Sequence, residues 1–540
     1  MIEHMMDRQL MISSLIEHAA QTYSDQEVVS RTCEGTIHRY GYAEALSRIK
    51  RLANMLKDYG VGEGDRVATV AWNTHRHFEL YYAVSSIGAI CHTINPRLGP
   101  QQVGYVLNHA EDKLVFFDIT FTPLLAALRE HAPTVERYIV MTDAAHAPAD
   151  FPGGALVYED ELAARSDSFE WPIFDERTAC GLCYTSGTTG DPKGVVYTHR
   201  STVLMAYAGN SPEYVGLSSR DCVLPVVPMF HVNAWGVPYS APMCGAKLVF
   251  PGPGMDGASL HEMMDKEKVT ISLGVPTVWL NLLAYLEQSG ARLDHMKMTL
   301  VGGAALSEQI LRAFEEKYDV RVAQGWGMTE MSPLGTVNRP PAEREDLDDP
   351  AVLARRLKQG RCVPGVEMRI VSEAGKVLPW DGQSVGHLQV RGPWITGAYF
   401  RHPGDTLTAD GWFDTGDVAN IDPDGFMQIT DRSKDVIKSG GEWISTIDIE
   451  NAAMSHPDVA HAAVIAAQHP KWQERPLLLV VRRKGADPMA EDVRLFVKER
   501  VSRLAEPDAV EFIDEMPLGA TGKVLKTELR KMFADYLLSA

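Results

Sequence analysis

The 540-residue sequence lacks any apolar run of about 18 residues, so we expect no transmembrane helix. It also lacks an excess of basic residues, since 52 lysines and arginines stand against 71 aspartates and glutamates, a net charge of −19. Non-specific binding to nucleic acid or to an anionic membrane requires the opposite balance, so we expect neither partner. Anionic substrates would have to be held by local lysines, backbone N–H groups and a metal ion.

Cysteine is also scarce. The seven cysteines are odd in number and scattered, which is typical of a reducing compartment and predicts a cytoplasmic protein. Cys180 and Cys183 have C-x-x-C spacing, but no second cysteine pair or Cys/His cluster lies near them in sequence. Because CGLCY is an apolar, strand-like run, two buried cysteines are favoured over a zinc or redox site. The first 20 residues carry acidic residues within their apolar stretch, unlike a signal peptide.

Strand-like and helical stretches alternate along most of the chain. Apolar runs such as RVATVAW and KLVFFD alternate with helical patterns such as HFELYYAVSSIGA, without internal repeats or low-complexity tracts. This alternation predicts an α/β fold with parallel sheets and crossover helices. Between Val363 and Thr430, Gly and Pro separate short strands, which predicts a small β-rich subdomain.

Beyond Asp431 the βαβ character returns. The stretch EDVRLFVKERVSRL carries apolar residues at helical spacing, which are Val493, Phe496, Val497, Val501 and Leu504. We therefore predict a large N-terminal body, residues 1–430, and a smaller α+β C-terminal domain, residues 431–540.

The segment YTSGTTGDPKGV, residues 184–195, has the composition of a phosphate-binding loop. Its glycines let the backbone pass close to a ligand, and its backbone N–H groups and hydroxyls can donate to phosphate oxygens. Lys193 adds a mobile positive charge. The spacing excludes a Walker A loop, because Lys193 is followed by Gly194 rather than by Ser or Thr. Residue chemistry alone leaves a phosphate site and an ordinary surface loop equally open.

Six further motifs follow in order. They are PMFHVNAWG (228–236), VGGAAL (301–306), QGWGMTE (324–330), FDTGD (413–417), DRSKDVIKSGGEWIS (431–445) and PLGATGKVLK (517–526). By residue chemistry, Trp326 can stack on a base, and Glu330 can bind Mg²⁺ through oxygen. The alternatives are a buried aromatic in a turn and a surface carboxylate, and Asp417 beside Gly416 is equally consistent with an ordinary turn.

Together the loop and these motifs resemble the adenylate-forming superfamily, which includes acyl-CoA synthetases, luciferases and peptide-synthetase adenylation domains. The resemblance covers nearly the whole chain. It implies a large N-terminal body with a mobile C-terminal domain, and the substrates or cofactors ATP, Mg²⁺ and coenzyme A. The implied reaction converts a carboxylate and ATP into acyl-AMP and pyrophosphate, and then transfers the acyl group to CoA with release of AMP.

The resemblance also implies roles for individual residues. Lys523, His231 and Glu330 would be catalytic, and Thr185 and Glu330 would hold Mg²⁺. The residues assigned to ATP and AMP binding are Thr185, Ser186, Gly187, Thr188, Thr189, Gly190, Lys193, Gly303, Ala304, Ala305, Gln324, Gly325, Trp326, Gly327, Met328, Thr329, Asp417, Arg432, Lys434, Lys438 and Trp443. Asp417 and Arg432 would bind the ribose. Trp326 stands where the family usually has Tyr, which keeps stacking but loses a phenolic donor.

For the acyl pocket the resemblance implies His231, Trp235, Gly302, Gly303, Met331 and Pro333, and for CoA it implies Gly440, Gly441 and Glu442. Trp235 matches a position that gates the acyl tunnel, and Lys434 matches the hinge between the domains. Relatives that activate amino acids carry Asp where His231 stands, which argues against an amino-acid substrate.

Within the superfamily the chain is most similar to medium- and long-chain fatty-acyl-CoA ligases and to 3-methylmercaptopropionyl-CoA ligases. We expect 3-methylmercaptopropionate or short-to-medium-chain fatty acids, because bulky Trp235 and Trp326 would shorten the pocket; a long-chain or aryl-acid ligase is the alternative. A luciferase-like oxidase and a non-enzymatic nucleotide-binding regulator are two rivals. The complete set of Thr185, Glu330, Asp417 and Lys523 argues against the regulator. A homodimer is expected by analogy.

Overall fold

The computed structural model describes residues 5–185, 192–432, 435–439, 442–470, 472–519, 524–534 and 536, with the backbone alone described at 438, 442 and 443. The strands are β1 (Glu27–Arg31), β2 (Ile37–Gly41), β3 (Arg66–Val70), β4 (Ile90–Thr93), β5 (Leu114–Phe117), β6 (Arg137–Val140), β7 (Leu156–Val157), β8 (Ala179–Tyr184), β9 (Gly194–Thr198), β10 (Cys222–Pro225), β11 (Lys247–Phe250), β12 (Ile271–Gly274), β13 (Met298–Val301), β14 (Arg321–Trp326), β15 (Thr336–Asn338), β16 (Arg361–Cys362), β17 (Glu367–Val371), β18 (Gly386–Arg391), β19 (Phe413–Ile421), β20 (Met427–Arg432), β21 (Ile437–Ser439), β22 (Glu442–Ile444), β23 (Val459–His469), β24 (Gln473–Arg482) and β25 (Ala509–Phe512).

The helices are α1 (Ser13–Thr22), α2 (Tyr42–Asp58), α3 (His75–Ser86), α4 (Pro100–Ala110), α5 (Thr122–Leu128), α6 (Tyr158–Ala163), α7 (His199–Gly209), α8 (Val232–Trp235), α9 (Val237–Cys244), α10 (Gly257–Lys266), α11 (Pro276–Ser289), α12 (Glu308–Arg312), α13 (Pro350–Arg356), α14 (Thr446–Met454), α15 (Ala490–Lys498) and α16 (Lys526–Met532). Within the described part of the chain, no helix combines the length and apolarity that crossing a membrane requires.

The first large sheet has seven strands in the order β7-β6-β5-β3-β4-β8-β9. Its strands run parallel except β9, which pairs antiparallel with β8 and sets Tyr184 opposite Gly194. Strands such as β4 and β5 are buried at every residue, as expected for a parallel sheet that is covered on both faces. The antiparallel pairing of β8 and β9 brings the two ends of the predicted phosphate loop side by side.

The second large sheet has nine strands in the order β16-β15-β14-β13-β12-β10-β11-β1-β2. The central strands are parallel, and β2, β15 and β16 join antiparallel at the edges. Gly274 pairs with Val301, and Val301 with Gln324, so β12, β13 and β14 end at the same edge. Ligands bind beyond the carboxyl ends of parallel strands, which places the VGGAAL and QGWGMTE motifs at a favourable location.

Two smaller sheets follow. β17, β18, β19 and β20 form an antiparallel sheet in which Asp417 lies directly opposite Arg432. The C-terminal sheet has the order β22-β21-β24-β23, with β25 parallel to β24. The predicted α/β class and the β-rich subdomain are both confirmed. The predicted division between residues 430 and 431 falls within β20, and it stays a prediction.

Two local predictions have opposite outcomes. Cys180 and Cys183 are buried in β8, as predicted, where Cys183 Sγ lies 3.0 Å from Thr93 Oγ1. The helix predicted through Leu504 is wrong at its end, because α15 stops at Lys498. The helix is held by the buried residues Val493 and Val497; Val501 packs against the same cluster after the helix has ended, whereas Leu504 is exposed.

Candidate active site

The carboxyl ends of the parallel strands open into a cavity of ≈ 1720 Å³. The β-rich subdomain and C-terminal residues within 518–519 and 524–531 complete its walls. The predicted site residues that line it are Thr185, Lys193, His231, Trp235, Gly302, Gly303, Gly325, Trp326, Gly327, Met328, Thr329, Glu330, Pro333 and Arg432. The structure therefore brings together motifs that are far apart in sequence.

The two ends of the phosphate loop are joined by hydrogen bonds. The backbone N–H of Thr185 donates to the Lys193 carbonyl at 2.9 Å, and the Lys193 N–H donates to Thr185 Oγ1 at 3.4 Å. Downstream, Thr198 caps α7 by accepting from the Ser201 N–H. The predicted loop residues Ser186, Gly187, Thr188, Thr189 and Gly190 lie outside the described residues.

Glu330 lies in a short 3₁₀ turn, Thr329–Met331, directly after β14. Its buried carboxylate accepts a hydrogen bond from the Tyr399 hydroxyl at 2.7 Å. The turn is fixed on both sides, because Thr396 N–H donates to the Glu330 carbonyl at 2.7 Å and Tyr197 OH donates to the Thr329 carbonyl at 2.8 Å. Burial, together with the nearby Glu330 carboxylate, raises the pKa of Tyr399, so the phenol stays protonated and can donate.

Trp326 is fixed by contacts on two sides. Its indole Nε1 donates to Asp417 Oδ2 at 3.1 Å, and Arg432 Nε contacts the other carboxylate oxygen at 2.8 Å. Gly335 lies close to the ring, since a Cβ added there would be 2.7 Å from an indole carbon. The expectation that Trp326 lacks the donor of the usual Tyr is therefore incomplete, because the indole N–H donates to Asp417 instead.

Trp235 is carried by a left-handed turn. The φ angles of Val232, Asn233, Ala234 and Trp235 are 47°, 52°, 49° and 52°, so α8 is not a right-handed helix. Left-handed backbone costs about 1–2 kcal/mol per residue and persists only where the surroundings define it. Here Cys183 Sγ contacts Asn233 Oδ1 at 3.6 Å from the adjacent β8.

The turn sets the indole of Trp235 against the end of β13. A Cβ added at Gly302 would lie 2.9 Å from that ring, which is closer than real contacts allow. At Gly303, where φ is +78°, a Cβ would lie 3.2 Å from Val275. The bare backbone at Gly302 is therefore required for the observed position of Trp235, whereas Gly303 is required by its positive φ and by Val275. His231 lines the same cavity just before the turn.

The C-terminal domain contributes its PLGATGKVLK motif. Four residues of the motif line the cavity: Leu518, Gly519, Val524 and Leu525. Lys523 lies outside the described residues. Also outside them are Lys434, Gly440 and Gly441, together with the side chains of Lys438, Glu442 and Trp443. The assignments of the hinge, the CoA site and the catalytic lysine stay predictions.

Some predicted residues lie elsewhere. Among the described residues, those predicted for the site that do not line the cavity are Ala304, Ala305, Gln324, Met331 and Asp417. Met331 and Gln324 are buried, and Met331 packs in the main hydrophobic core, so its assignment to the acyl pocket stays a prediction. Asp417 contacts Trp326 and Arg432, which do line the cavity. Conversely, sequence reasoning missed Tyr399, because nothing in its spacing relates it to a carboxylate 69 residues earlier.

Comparison with known proteins identifies the family. Residues 16–400 match the AMP-binding enzyme family, and residues 448–523 match the AMP-binding enzyme C-terminal domain. With the cavity described above, these matches define a nucleotide-using enzyme whose active site is lined by a large body and a smaller C-terminal part. The chain belongs to the AMP-binding enzyme family.

Relatives and solved structures agree with this assignment. The chain is 48% identical to 3-methylmercaptopropionyl-CoA ligase of Ruegeria lacuscaerulensis, covering 99% of this chain and 100% of the relative. It is 49% identical to medium-chain-fatty-acid–CoA ligase of Ectopseudomonas oleovorans, covering 100% and 98%. The crystal structure of ATP-bound MatB from Rhodopseudomonas palustris is similar over 97% of this chain and 99% of that one, with a TM-score of 0.81 and 26% identity. The chain is thus an ATP-dependent acyl-CoA ligase that acts through an acyl-AMP intermediate.

Proposed function

We propose that the ligase activates short-to-medium-chain acids, with 3-methylmercaptopropionate among them. The observation that carries this proposal is the contact of the Trp235 indole with Gly302, since a bulky ring against this strand end shortens the space for an acyl chain. Trp326 forms a second bulky wall. The names of the relatives at 48% and 49% identity support the same range of acids.

Mg²⁺ fits the chemistry of the donors. The Glu330 carboxylate and Thr185, with its hydroxyl, both line the cavity and offer the oxygen ligands that this ion prefers. When bound, the ion would neutralise charge on the ATP phosphates. Lys193 supplies a further positive charge at the same wall, and the side chains of Trp326 and Arg432 would receive the nucleoside.

The first half-reaction is attack of the substrate carboxylate on the α-phosphorus of ATP. The protein catalyses this step mainly by positioning the reactants and stabilising charge, because its own groups take little part in the covalent changes. We assign Lys523 to the oxygen atoms between the carboxylate and the α-phosphate, where a point charge opposes the negative charge that develops. Leu518 and Val524, which flank its segment, line the cavity and support this assignment.

The second half-reaction needs a path for the CoA thiol. Because Leu518, Gly519 and Leu525 occupy one wall of the cavity, the segment that carries Lys523 has to withdraw before CoA can enter from that side. We assign the hinge to Lys434, the nucleotide contacts of the closed state to Lys438 and Trp443, and the pantetheine path to Gly440, Gly441 and Glu442. We further propose a cytoplasmic homodimer that binds neither nucleic acid nor membranes.

A panel of straight-chain acids from C3 to C16, with 3-methylmercaptopropionate added, tests the substrate. The assay is AMP formation that depends on both CoA and ATP. The proposal predicts the highest kcat/KM for 3-methylmercaptopropionate and acids of about C4 to C8, with several acids accepted because one methylene changes binding by only about 1–3 kcal/mol. A maximum at C14–C16 would refute the short-pocket argument. CoA-independent, oxygen-dependent turnover would instead indicate a luciferase-like oxidase.

A further inference from the structure

A five-residue segment, Thr396–Phe400, connects two motifs of the nucleotide site. At one end the Thr396 N–H donates to the Glu330 carbonyl at 2.7 Å. At the other end the Phe400 N–H donates to the Gly194 carbonyl at 2.8 Å, near the end of the phosphate loop. The backbone of this segment therefore sets the distance between the QGWGMTE turn and the phosphate loop.

Tyr399 lies inside this segment and contacts a charged side chain on each side. Its hydroxyl donates to Glu330 Oε1 at 2.7 Å. The Lys193 ammonium lies over the face of its ring, 4.9 Å from the centroid, which is a cation–π contact. The three side chains line the same cavity.

Tyr399 is a shared partner of two opposite charges, Lys193 and Glu330. Among the described residues, no ion pair joins Lys193 to Glu330, although both contact the same tyrosine. A direct ion pair between Lys193 and Glu330 would neutralise both charges. It would also direct each group at the other instead of at phosphate or a cation. Because each group contacts the tyrosine instead, the carboxylate keeps an oxygen available for a cation and the ammonium remains available for phosphate.

We propose that Tyr399 is a positioning residue that orients Glu330 for the divalent cation and Lys193 for the ATP phosphates, by contacting both. The inference rests on the proposed function, since the role of Glu330 as a metal ligand belongs to it. The two contacts use different parts of the side chain. Tyr399→Phe removes the hydroxyl and keeps the ring, whereas Tyr399→Leu removes both and leaves space for Lys193 to pair with Glu330.

The decisive measurement is cation binding rather than turnover. Binding of Mn²⁺ to the protein in the presence of a non-hydrolysable ATP analogue can be followed by electron paramagnetic resonance, and ATP binding without a divalent ion by calorimetry. We expect Tyr399→Phe to weaken Mn²⁺ binding about tenfold, which is the effect of losing one hydrogen bond to a charged group, with metal-free ATP binding within about twofold of wild type. Tyr399→Leu should weaken both.

Tyr59→Phe is a matched control, because the Tyr59 hydroxyl also donates to a carboxylate, that of Glu161, away from the cavity. This variant should bind Mn²⁺ and ATP as the wild type does. The proposal is overturned if Tyr399→Phe leaves Mn²⁺ binding unchanged, or if it lowers the melting temperature and every binding constant together, as a purely structural residue would. Failure of the proposed role of Glu330 would show separately, as Mn²⁺ binding that is unchanged in Glu330→Gln.

Discussion

The indole N–H of Trp326 donates to the carboxylate of Asp417, which is buried to 1% exposure and also pairs with Arg432. The three side chains come from two sheets: Trp326 ends β14 of the nine-stranded sheet, and Asp417 and Arg432 lie opposite each other in β19 and β20. The hydrogen bond therefore fixes the ring that we assign to the adenine relative to the residues that we assign to the ribose. Because the three side chains are coupled, a substitution at any one of them should change binding of the whole nucleoside.

Trp326→Phe tests this coupling. The variant keeps an aromatic face for the adenine but removes the hydrogen bond from the indole to Asp417, and losing a hydrogen bond to a charged group costs about 1.5–3 kcal/mol. We expect the KM for ATP to rise by about tenfold or more, with a smaller fall in kcat, in steady-state AMP formation. Trp380→Phe, at an exposed tryptophan, is the control and should behave as wild type. An unchanged KM for ATP in Trp326→Phe would contradict the coupling.

Gly302→Ala tests the acyl wall. The added methyl group would lie 2.9 Å from the Trp235 ring and 3.0 Å from the Gly325 carbonyl, so the indole has to move towards the acyl space. We expect kcat/KM to fall about tenfold or more for the longer accepted acids and less for C3 and C4 acids, in the acid panel. Trp235→Ala should shift the preference the other way. Gly62→Ala is the control, because an added Cβ there meets nothing within 4 Å, and it should behave as wild type. An equal loss of kcat/KM for all acids in Gly302→Ala would argue against a wall that selects by chain length.

The sequence predicted the fold class from local patterns, and through the family motifs it predicted part of the cavity wall. Apolar runs such as those of β4 and β5 mark buried parallel strands, and motifs at strand ends collect at one sheet edge. It did not predict Tyr399 beside Glu330, since that contact depends on how the β-rich subdomain docks on the body. Nor did it predict the left-handed turn before Gly236, because Val232 and Trp235 have no intrinsic preference for that conformation.

Stability should depend on pH through His77. Its Nδ1 lies 3.0 Å from the Trp72 carbonyl, so Nδ1 carries the proton and Nε2 accepts from the Thr69 hydroxyl at 2.9 Å. Burial lowers the pKa of His77 to about 4 from the usual value of 6.5. The unfolded chain therefore takes up the proton first, and this residue's contribution to stability is complete above pH 6.5 and is lost as the pH falls towards 4.

The measurement is urea unfolding of wild type and His77→Gln between pH 7.5 and 4.5. The free energy of unfolding of the wild type should fall relative to that of the variant by about 1.4 kcal/mol for each pH unit in this window, up to about 3 kcal/mol. Comparing the two proteins cancels the titration of other groups. Parallel curves for the two would show that His77 is not protonated on unfolding.

Separate assays of the two half-reactions test the roles that we assign to residues of the C-terminal domain. Lys523→Ala removes the charge that we place on the carboxylate and α-phosphate oxygens, so ATP–pyrophosphate exchange should fall by at least about 100-fold while CoA transfer from preformed acyl-AMP persists. Gly441→Val adds bulk on the proposed pantetheine path and should do the reverse. Lys531→Ala, at an exposed lysine of α16 that also borders the cavity, tests whether loss of any nearby charge suffices. Equal losses in both half-reactions for Lys523→Ala would indicate that the lysine has a structural role and no specific role in adenylation.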